Sequence, residues 1–164
     1  MNKVLNYRLH SYLSKSLKIG TSFAAGRNFT GSICVNHKSG GVKRKHTFID
    51  YYRRVNTFGV VSRIMKDINR TAFIASIIYE NGLFSYIILP EGVTVGDKLY
   101  SGSQEQVDLK KGYAVLLRYI SLFTVVNNVE LKPYTGSTLS RAAGASCLLV
   151  GKKQQNVILK LKSG

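Results

Sequence analysis

The chain has 164 residues, with 24 Lys and Arg against 8 Asp and Glu, a formal net charge of +16. That balance argues against a large neutral binding face and against a typical metabolic enzyme. The hydrophobic content of 45% argues against a fully disordered basic tail. A chain of this length can bury about 70% of its unfolded surface, enough for one domain or two very small ones. The charge therefore rides on a folded scaffold, and such scaffolds bind polyanions.

Residues 1–49 hold no acid, but carry Lys3, Arg8, Lys15, Lys18, Arg27, Lys38, Lys43, Arg44, Lys45 and all three histidines. Residues 1–20 have the composition of an organelle transit peptide, and equally that of an RNA-binding extension. The second reading is favoured, because the arm runs straight into basic residues of the fold. Beyond it, short β-branched and aromatic runs broken by Gly, Asn, Asp or Pro dominate, with no sustained helical stripe. Strands are predicted over residues 32–36, 46–51, 59–65 and 72–79. Glu80-Asn81-Gly82 then makes a tight turn, since Asn-Gly supplies the positive φ angles of a two-residue hairpin. Residues 83–89 return as its partner strand. Residues 100–112 read as a loop or linker, 113–118 and 124–131 as strands, and 132–136 as irregular. Residues 146–150 and 156–161 form a second hairpin around 151–155. About nine short strands at near-regular spacing predict an all-β barrel or a pair of barrels. The division falls near residues 105–112.

Catalytic patterns are weak. Gly26-Arg27-Asn28-Phe29-Thr30-Gly31 has the spacing of a phosphate-binding loop, but Ser32-Ile33 stand where Lys and Ser/Thr belong. His10, His37 and His46 have no nucleophile elbow and no His-x-x-x-His pattern beside them. The acids are scattered singly, which argues against paired-carboxylate chemistry. Cys34 and Cys147 lie far apart without zinc-ligand spacing, and read as free thiols in a reducing compartment. No apolar run approaches the roughly 18–20 residues of a membrane span, so no membrane partner is expected.

Three constellations carry signal. His37-Lys38-Ser39-Gly40-Gly41-Val42-Lys43-Arg44-Lys45-His46 is the densest basic segment, and its glycines let backbone N–H groups approach an anion. Asp67-Ile68-Asn69-Arg70 is a turn in which Asp and Asn can bond their own backbone and fix the direction of Arg70. Leu139-Ser140-Arg141-Ala142-Ala143-Gly144-Ala145 surrounds one arginine with small residues, so an RNA backbone or another chain can come close. For these last two, a plain surface turn and a small-residue packing turn are equally good readings of the residues alone.

From Gly26 to Gly164 the chain resembles the large-subunit ribosomal protein family of the L-two type, in its bacterial and organellar form. The matching pieces are Gly26-Arg27-Asn28, Gly31, His37, Gly40-Gly41, Lys43-Arg44, Ile49-Asp50, Asp67, Asn69-Arg70, Tyr86-Ile87, Pro90, Val95-Gly96-Asp97 and Ser101-Gly102. Asn128-Val129-Glu130, Lys132-Pro133, Leu139, Arg141, Ala143-Gly144 and Ser163-Gly164 continue the series in order. The resemblance implies an oligonucleotide/oligosaccharide-binding (OB)-like barrel over 26–108 after a basic N-terminal extension, 1–25. An SH3-like barrel over 109–164, truncated at its C-terminal end, would follow. It also implies a structural role in the large ribosomal subunit, binding large-subunit rRNA near the peptidyl-transferase region beside neighbouring ribosomal proteins.

In that family the arginines at the positions of Arg70 and Arg141 bind RNA. The expected RNA contacts are Arg27, Asn28, His37, Lys38, Gly40, Gly41, Lys43, Arg44, Lys45, Arg53, Arg70, Lys132 and Arg141. Phe29, Tyr51 and Tyr52 are candidates for stacking on bases, with core packing an equal alternative for each. No cofactor is implied, and any structural Mg2+ would be held through the rRNA.

The chain departs from the family at Ile68, where a proline is usual, and at Asn127, where a histidine is usual. The family's C-terminal His-Pro-His-Gly-Gly segment is absent, so a separate chain is expected to supply the missing part. Ten Tyr, seven Phe, two Pro and no Trp suggest an AT-rich genome and a mitochondrial ribosome, with a plastid second and a bacterium of reduced genome third. A free single-stranded nucleic-acid-binding barrel is the alternative function, and an enzyme the least favoured.

Overall fold

The computed structural model describes residues 13–102, 109–154 and 156–164. They fall into two compact units, divided between Phe48 and Ile49.

In the first unit, β1 (Lys18–Thr21) and β2 (Arg44–Thr47) pair antiparallel, Lys18 opposite Thr47 and Thr21 opposite Arg44. β1 lies within the segment expected as an extension, of which residues 1–12 are outside the described residues. The strand predicted at 32–36 is not formed. Only Ile33 makes a β contact, an isolated bridge to Arg27. The cause is local: the amides of Cys34 and Val35 both donate to the Gly26 carbonyl, at 2.8 and 3.0 Å, which bends the chain. The strand predicted at 46–51 starts two residues earlier and stops at Thr47. Downstream, Asp50 Oδ1 draws the amides of Tyr52 and Arg53 into a turn, at 3.0 and 2.9 Å.

The second unit holds β3 (Thr57–Lys66), β4 (Phe73–Tyr79), β5 (Phe84–Ile88) and β6 (Lys98–Ser101). They form an antiparallel sheet in the order β5-β4-β3-β6. β4 is central, and its near-continuous apolar run matches its burial on both faces, with Ile74, Ala75, Ser76 and Ile77 all buried. One face carries the core: Val61, Ala75, Ile77, Tyr79, Ile87, Val93 and Leu99. A bulge between Val61 and Arg63 inserts Ser62. It shifts the inward parity of β3 from Gly59 and Val61 to Ile64, which packs against the same cluster.

The 72–89 hairpin forms as predicted, with a different turn. Only Gly82 has positive φ, +82°. The Gly82 amide donates to the Tyr79 carbonyl at 2.9 Å, and the Tyr79 amide to the Leu83 carbonyl at 2.9 Å. This is a three-residue loop, a type I turn closed by a left-handed glycine, in place of the two-residue turn.

Further on, β7 (Val125–Val126), β10 (Cys147–Lys152) and β11 (Val157–Leu161) form a sheet in the order β11-β10-β7, and β8 (Val129–Glu130) pairs with β9 (Ser137–Leu139). The 146–161 hairpin is therefore present. The single strand predicted at 124–131 is two short ones, because Asn128 turns left-handed at φ +50°. Residues 113–118 are not a strand either. Ala114 makes one parallel bridge to Ser101, and Leu117–Tyr119 form a single 3₁₀ turn. Tyr100 and Ser101, read as the start of a linker, end β6, and residues 103–108 of that linker are outside the described residues. The fold is nearly all β in several antiparallel sheets, as expected for an OB-like and an SH3-like barrel.

Gly59 is the tightest point of the sheet. A Cβ there would stand 2.4 Å from Ile77 Cγ2 and 2.8 Å from Tyr79 Cδ1. Gly59→Val should destabilise the chain by about 1–3 kcal/mol, read as a lower urea midpoint at unchanged m value. Gly20→Ala, where a Cβ meets nothing within 4 Å, should stay within about 0.5 kcal/mol of the parent.

Candidate nucleic-acid interface

In the first unit the basic candidates lie on the excursion between β1 and β2. Asn28 Oδ1 accepts from the Thr30 amide (3.0 Å), the Thr30 hydroxyl (2.7 Å) and the Ser32 amide (2.9 Å). Its side chain therefore shapes the 28–32 turn, at whose tip Phe29 is fully exposed. Gly26 has φ +74°, and a Cβ there would stand 2.4 Å from the Val35 carbonyl oxygen, so no other residue fits. Arg27, His37 and Lys38 join Ala25, Ile33, Val35 and Ser39 around one open groove. His37 is left-handed at φ +59° and Gly41 at φ +65°. Lys43, Arg44 and Lys45 are exposed on and before β2. The groove holds Arg27 and Lys38, the strand and its approach hold Lys43, Arg44 and Lys45, and loop N–H groups of this kind can share a phosphate with such cations.

In the second unit, Asp67 is buried and holds two groups. Its Oδ1 accepts from the Asn69 amide at 3.2 Å, and its Oδ2 from Arg70 Nε at 2.7 Å. Ile68 is 70% exposed at the tip of this turn. Arg70 Nη1 reaches the Tyr51 hydroxyl at 2.9 Å. Partial burial works against the charge on Arg70. The hydrogen bonds to Asp67 and Tyr51 outweigh it and hold the guanidinium above its ordinary pKa. The other face of this arrangement is Arg141, whose Cζ lies 5.2 Å from the centroid of the Tyr51 ring. Tyr51 therefore joins the two arginines that the sequence singled out separately, one at its hydroxyl and one at its ring.

The loop bearing Arg141 is pinned at both ends. The Asn128 amide donates to the Ser140 carbonyl at 3.2 Å, and Lys162 Nζ to the Gly144 carbonyl at 2.6 Å. Residues 141–144 are exposed, as their small side chains suggested. Among the described residues the only ion pair is Asp67–Arg70, so Arg141 brings a charge that no carboxylate there neutralises.

Arg53 is placed otherwise than expected. Its Nε donates to Ser101 Oγ (3.0 Å), Nη1 to the Gly112 carbonyl (2.7 Å) and Nη2 to the Tyr100 carbonyl (3.0 Å). Burial lowers its pKa below the ordinary value, against the opposing influence of Tyr79 and Asp50. The guanidinium ties the end of β6 to the chain at Gly112 and offers little to an outside phosphate.

Its neighbour Arg54, which the sequence reading passed over, is exposed. It lies 4.5 Å from the Tyr52 ring centroid and 5.3 Å from that of Tyr134, and donates to the Tyr134 carbonyl. A second arginine, two residues beyond a pair of tyrosines, was the available signal. Glu130 organises this side: Oε2 accepts from the Tyr134 amide at 2.8 Å and Oε1 from the Gly136 amide at 3.0 Å. Lys132 is exposed on the loop so formed. Among the described residues no group of three His, Cys, Asp or Glu is placed to hold a metal ion.

Arg53→Lys tests the placement of Arg53. An ammonium keeps the charge but cannot serve three acceptors in a fork. The chain should lose about 1–3 kcal/mol of stability, read by urea unfolding.

The chain matches two family models. One is described as Ribosomal Proteins L2, RNA binding N-terminal domain, over residues 14–101. The other is Ribosomal Proteins L2, C-terminal domain, over residues 110–164. It is 45% identical over 151 residues to the large ribosomal subunit protein uL2 of Brucella abortus (strain S19) and to that of Brucella suis biovar 1 (strain 1330). Identity to the uL2 of Brucella melitensis biotype 1 is 44% over the same length. Each alignment covers 92% of this chain and 54% of the relative, so the chain spans about half the length of the curated relatives it matches.

Proposed function

The chain belongs to the ribosomal protein L2 family, and from that premise we propose that it is a structural constituent of the large ribosomal subunit. It binds large-subunit rRNA and supports the peptidyl-transferase region during translation, with no enzymatic turnover of its own. The observation that carries this reading is the convergence of Arg70 and Arg141 on Tyr51, with one buried carboxylate fixing one of them and none among the described residues neutralising the other. Such an arrangement presents fixed positive charge where an RNA backbone can dock.

Arg27, His37, Lys38, Lys43, Arg44 and Lys45 are the proposed phosphate contacts of the first unit, where Gly40 and Gly41 admit the backbone and Asn28 sets the loop's shape. Arg70, Lys132 and Arg141 are those of the second, and Arg53 is a positioning residue. We place the OB-like barrel at 26–108 and the SH3-like barrel at 109–164; the limits of the two family matches support that division.

The finer readings are an organellar ribosome, mitochondrial before plastid, supported by the Tyr- and Phe-rich, Pro-poor composition, and a neighbouring chain on the outer edge of β11. That strand pairs only with β10 among the described residues and exposes Ile158 and Leu161.

Sedimentation of gently lysed cells through a high-salt gradient tests the main reading. The chain should travel with a large ribosomal subunit, and a light species free of rRNA would overturn it in favour of a free single-strand-binding module. With purified chain and rRNA, Arg141→Ala should reduce the slope of log K against log salt by about 1 and weaken binding uniformly across RNA sequences.

A further inference from the structure

We propose that Tyr134, braced by Arg54 and Tyr52, is a stacking subsite for one unstacked RNA base, with Arg54 beside it for that nucleotide's phosphate. This rests on the rRNA-binding reading and names a contact that the paired-arginine site does not supply.

Tyr134 stands at φ +67°, a left-handed conformation that a bulky residue rarely adopts and that favours glycine. Local folding therefore gives no reason for tyrosine here. The ring is also not used to fill a core: Tyr134 is 57% exposed and Tyr52 is 54% exposed. Yet both are held. Arg54 stands over each ring, at 4.5 Å from Tyr52 and 5.3 Å from Tyr134, and donates to the Tyr134 carbonyl. Glu130 fixes the loop backbone on either side of the aromatic ring through the amides of Tyr134 and Gly136. Gly136 lies flat against Tyr52, where a Cβ would stand 3.0 Å from Cε1. A disfavoured backbone angle, an exposed ring and a rigid support together point outward, to a ligand.

The chemistry selects a nucleotide. Aromatic faces take any base, and the guanidinium beside them suits a phosphate or a second stacked plane. The carboxylate closest in the loop, Glu130, is already turned to two backbone amides. Lys132 adds a further exposed cation two residues away.

The test uses the full chain and full-length large-subunit rRNA. Tyr134→Gly relieves the left-handed angle, so its thermal midpoint should equal or exceed the parent's. Its rRNA affinity should fall roughly 5- to 150-fold, the loss of one stacked base. Tyr134→Phe should retain the affinity. Irradiation of 4-thiouridine-substituted rRNA bound to the parent should cross-link a peptide containing Tyr134. A Tyr134→Gly chain that binds rRNA as the parent does would overturn the proposal. So would cross-links confined to other segments, or loss of a neighbouring protein's association with rRNA affinity intact, which would assign the pair to a protein contact. A lower thermal midpoint in Tyr134→Gly would overturn it in favour of a structural role. Failure of the parent chain itself to bind rRNA would instead bring down the functional reading on which this subsite rests.

Discussion

The proposed interface of the second unit depends on one buried carboxylate. Asp67 fixes Arg70, Arg70 fixes the hydroxyl of Tyr51, and the Tyr51 ring receives Arg141 from a loop 90 residues later in the chain. Magnitudes decide what each link does. An exposed ion pair contributes about 0–1 kcal/mol, so a surface pairing would not hold such an assembly. Here the Asp67 side chain is 3% exposed and that of Arg70 is 19% exposed. Removing Arg70 would leave a buried charge uncompensated, at a cost of about 3–5 kcal/mol. Arg70 therefore serves both the fold and the interface, and its loss mixes the two. Arg141 meets only the ring face and an exposed loop, and reports binding more cleanly.

The same device recurs. In a chain with three times as many cations as acids, acids set the shape of turns. Asp50 takes the amides of Tyr52 and Arg53, Asp67 that of Asn69, Asp97 the amide and the hydroxyl of Thr94, and Glu130 the amides of Tyr134 and Gly136. Hydrogen bonds to a charged acceptor contribute about 1.5–3 kcal/mol each, more than an exposed ion pair. Three of these four turns carry an arginine or tyrosine of the interface. Asp67 with Arg70 apart, the acids thus shape turns without pairing a cation among the described residues, which preserves most of the excess charge that a polyanion needs.

The parts of this arrangement that were legible in the sequence are those written in local pattern. The 72–89 hairpin follows from an apolar run, an Asn-Gly and a second apolar run. The basic 37–46 loop and the Asp-x-Asn-Arg turn follow from composition and spacing. What was not legible depends on backbone angles that the residue types do not announce. Asn128 at φ +50° splits the strand expected at 124–131, and Arg53 at φ +48° directs its guanidinium inward, to carbonyls nearly fifty and sixty residues away. Tyr51 was seen as a stacking candidate or a core residue. Its role as the meeting point of two arginines needs the long-range closure of 51 against 137, where the Ser137 amide donates to the Tyr51 carbonyl at 3.0 Å. No pattern of period two or 3.6 encodes that closure.

Of the eight non-glycine left-handed residues among the described ones, His37, Arg53, Tyr134 and Ser140 adjoin or belong to the cation-bearing loops. A non-glycine residue in that region costs about 1–3 kcal/mol and persists only where its surroundings over-determine it. The β3–β4–β5 sheet, with Val61, Ile74, Ile77 and Tyr86 essentially inaccessible to solvent, supplies a rigid core in the second unit against which such loops can be held. Each buried side chain of that size contributes about 1.5–3 kcal/mol, so a few of them offset several strained turns. Division of labour follows from the arithmetic: the sheet carries the stability, and the loops are free to hold arginines and tyrosines in conformations that their own sequences would not choose.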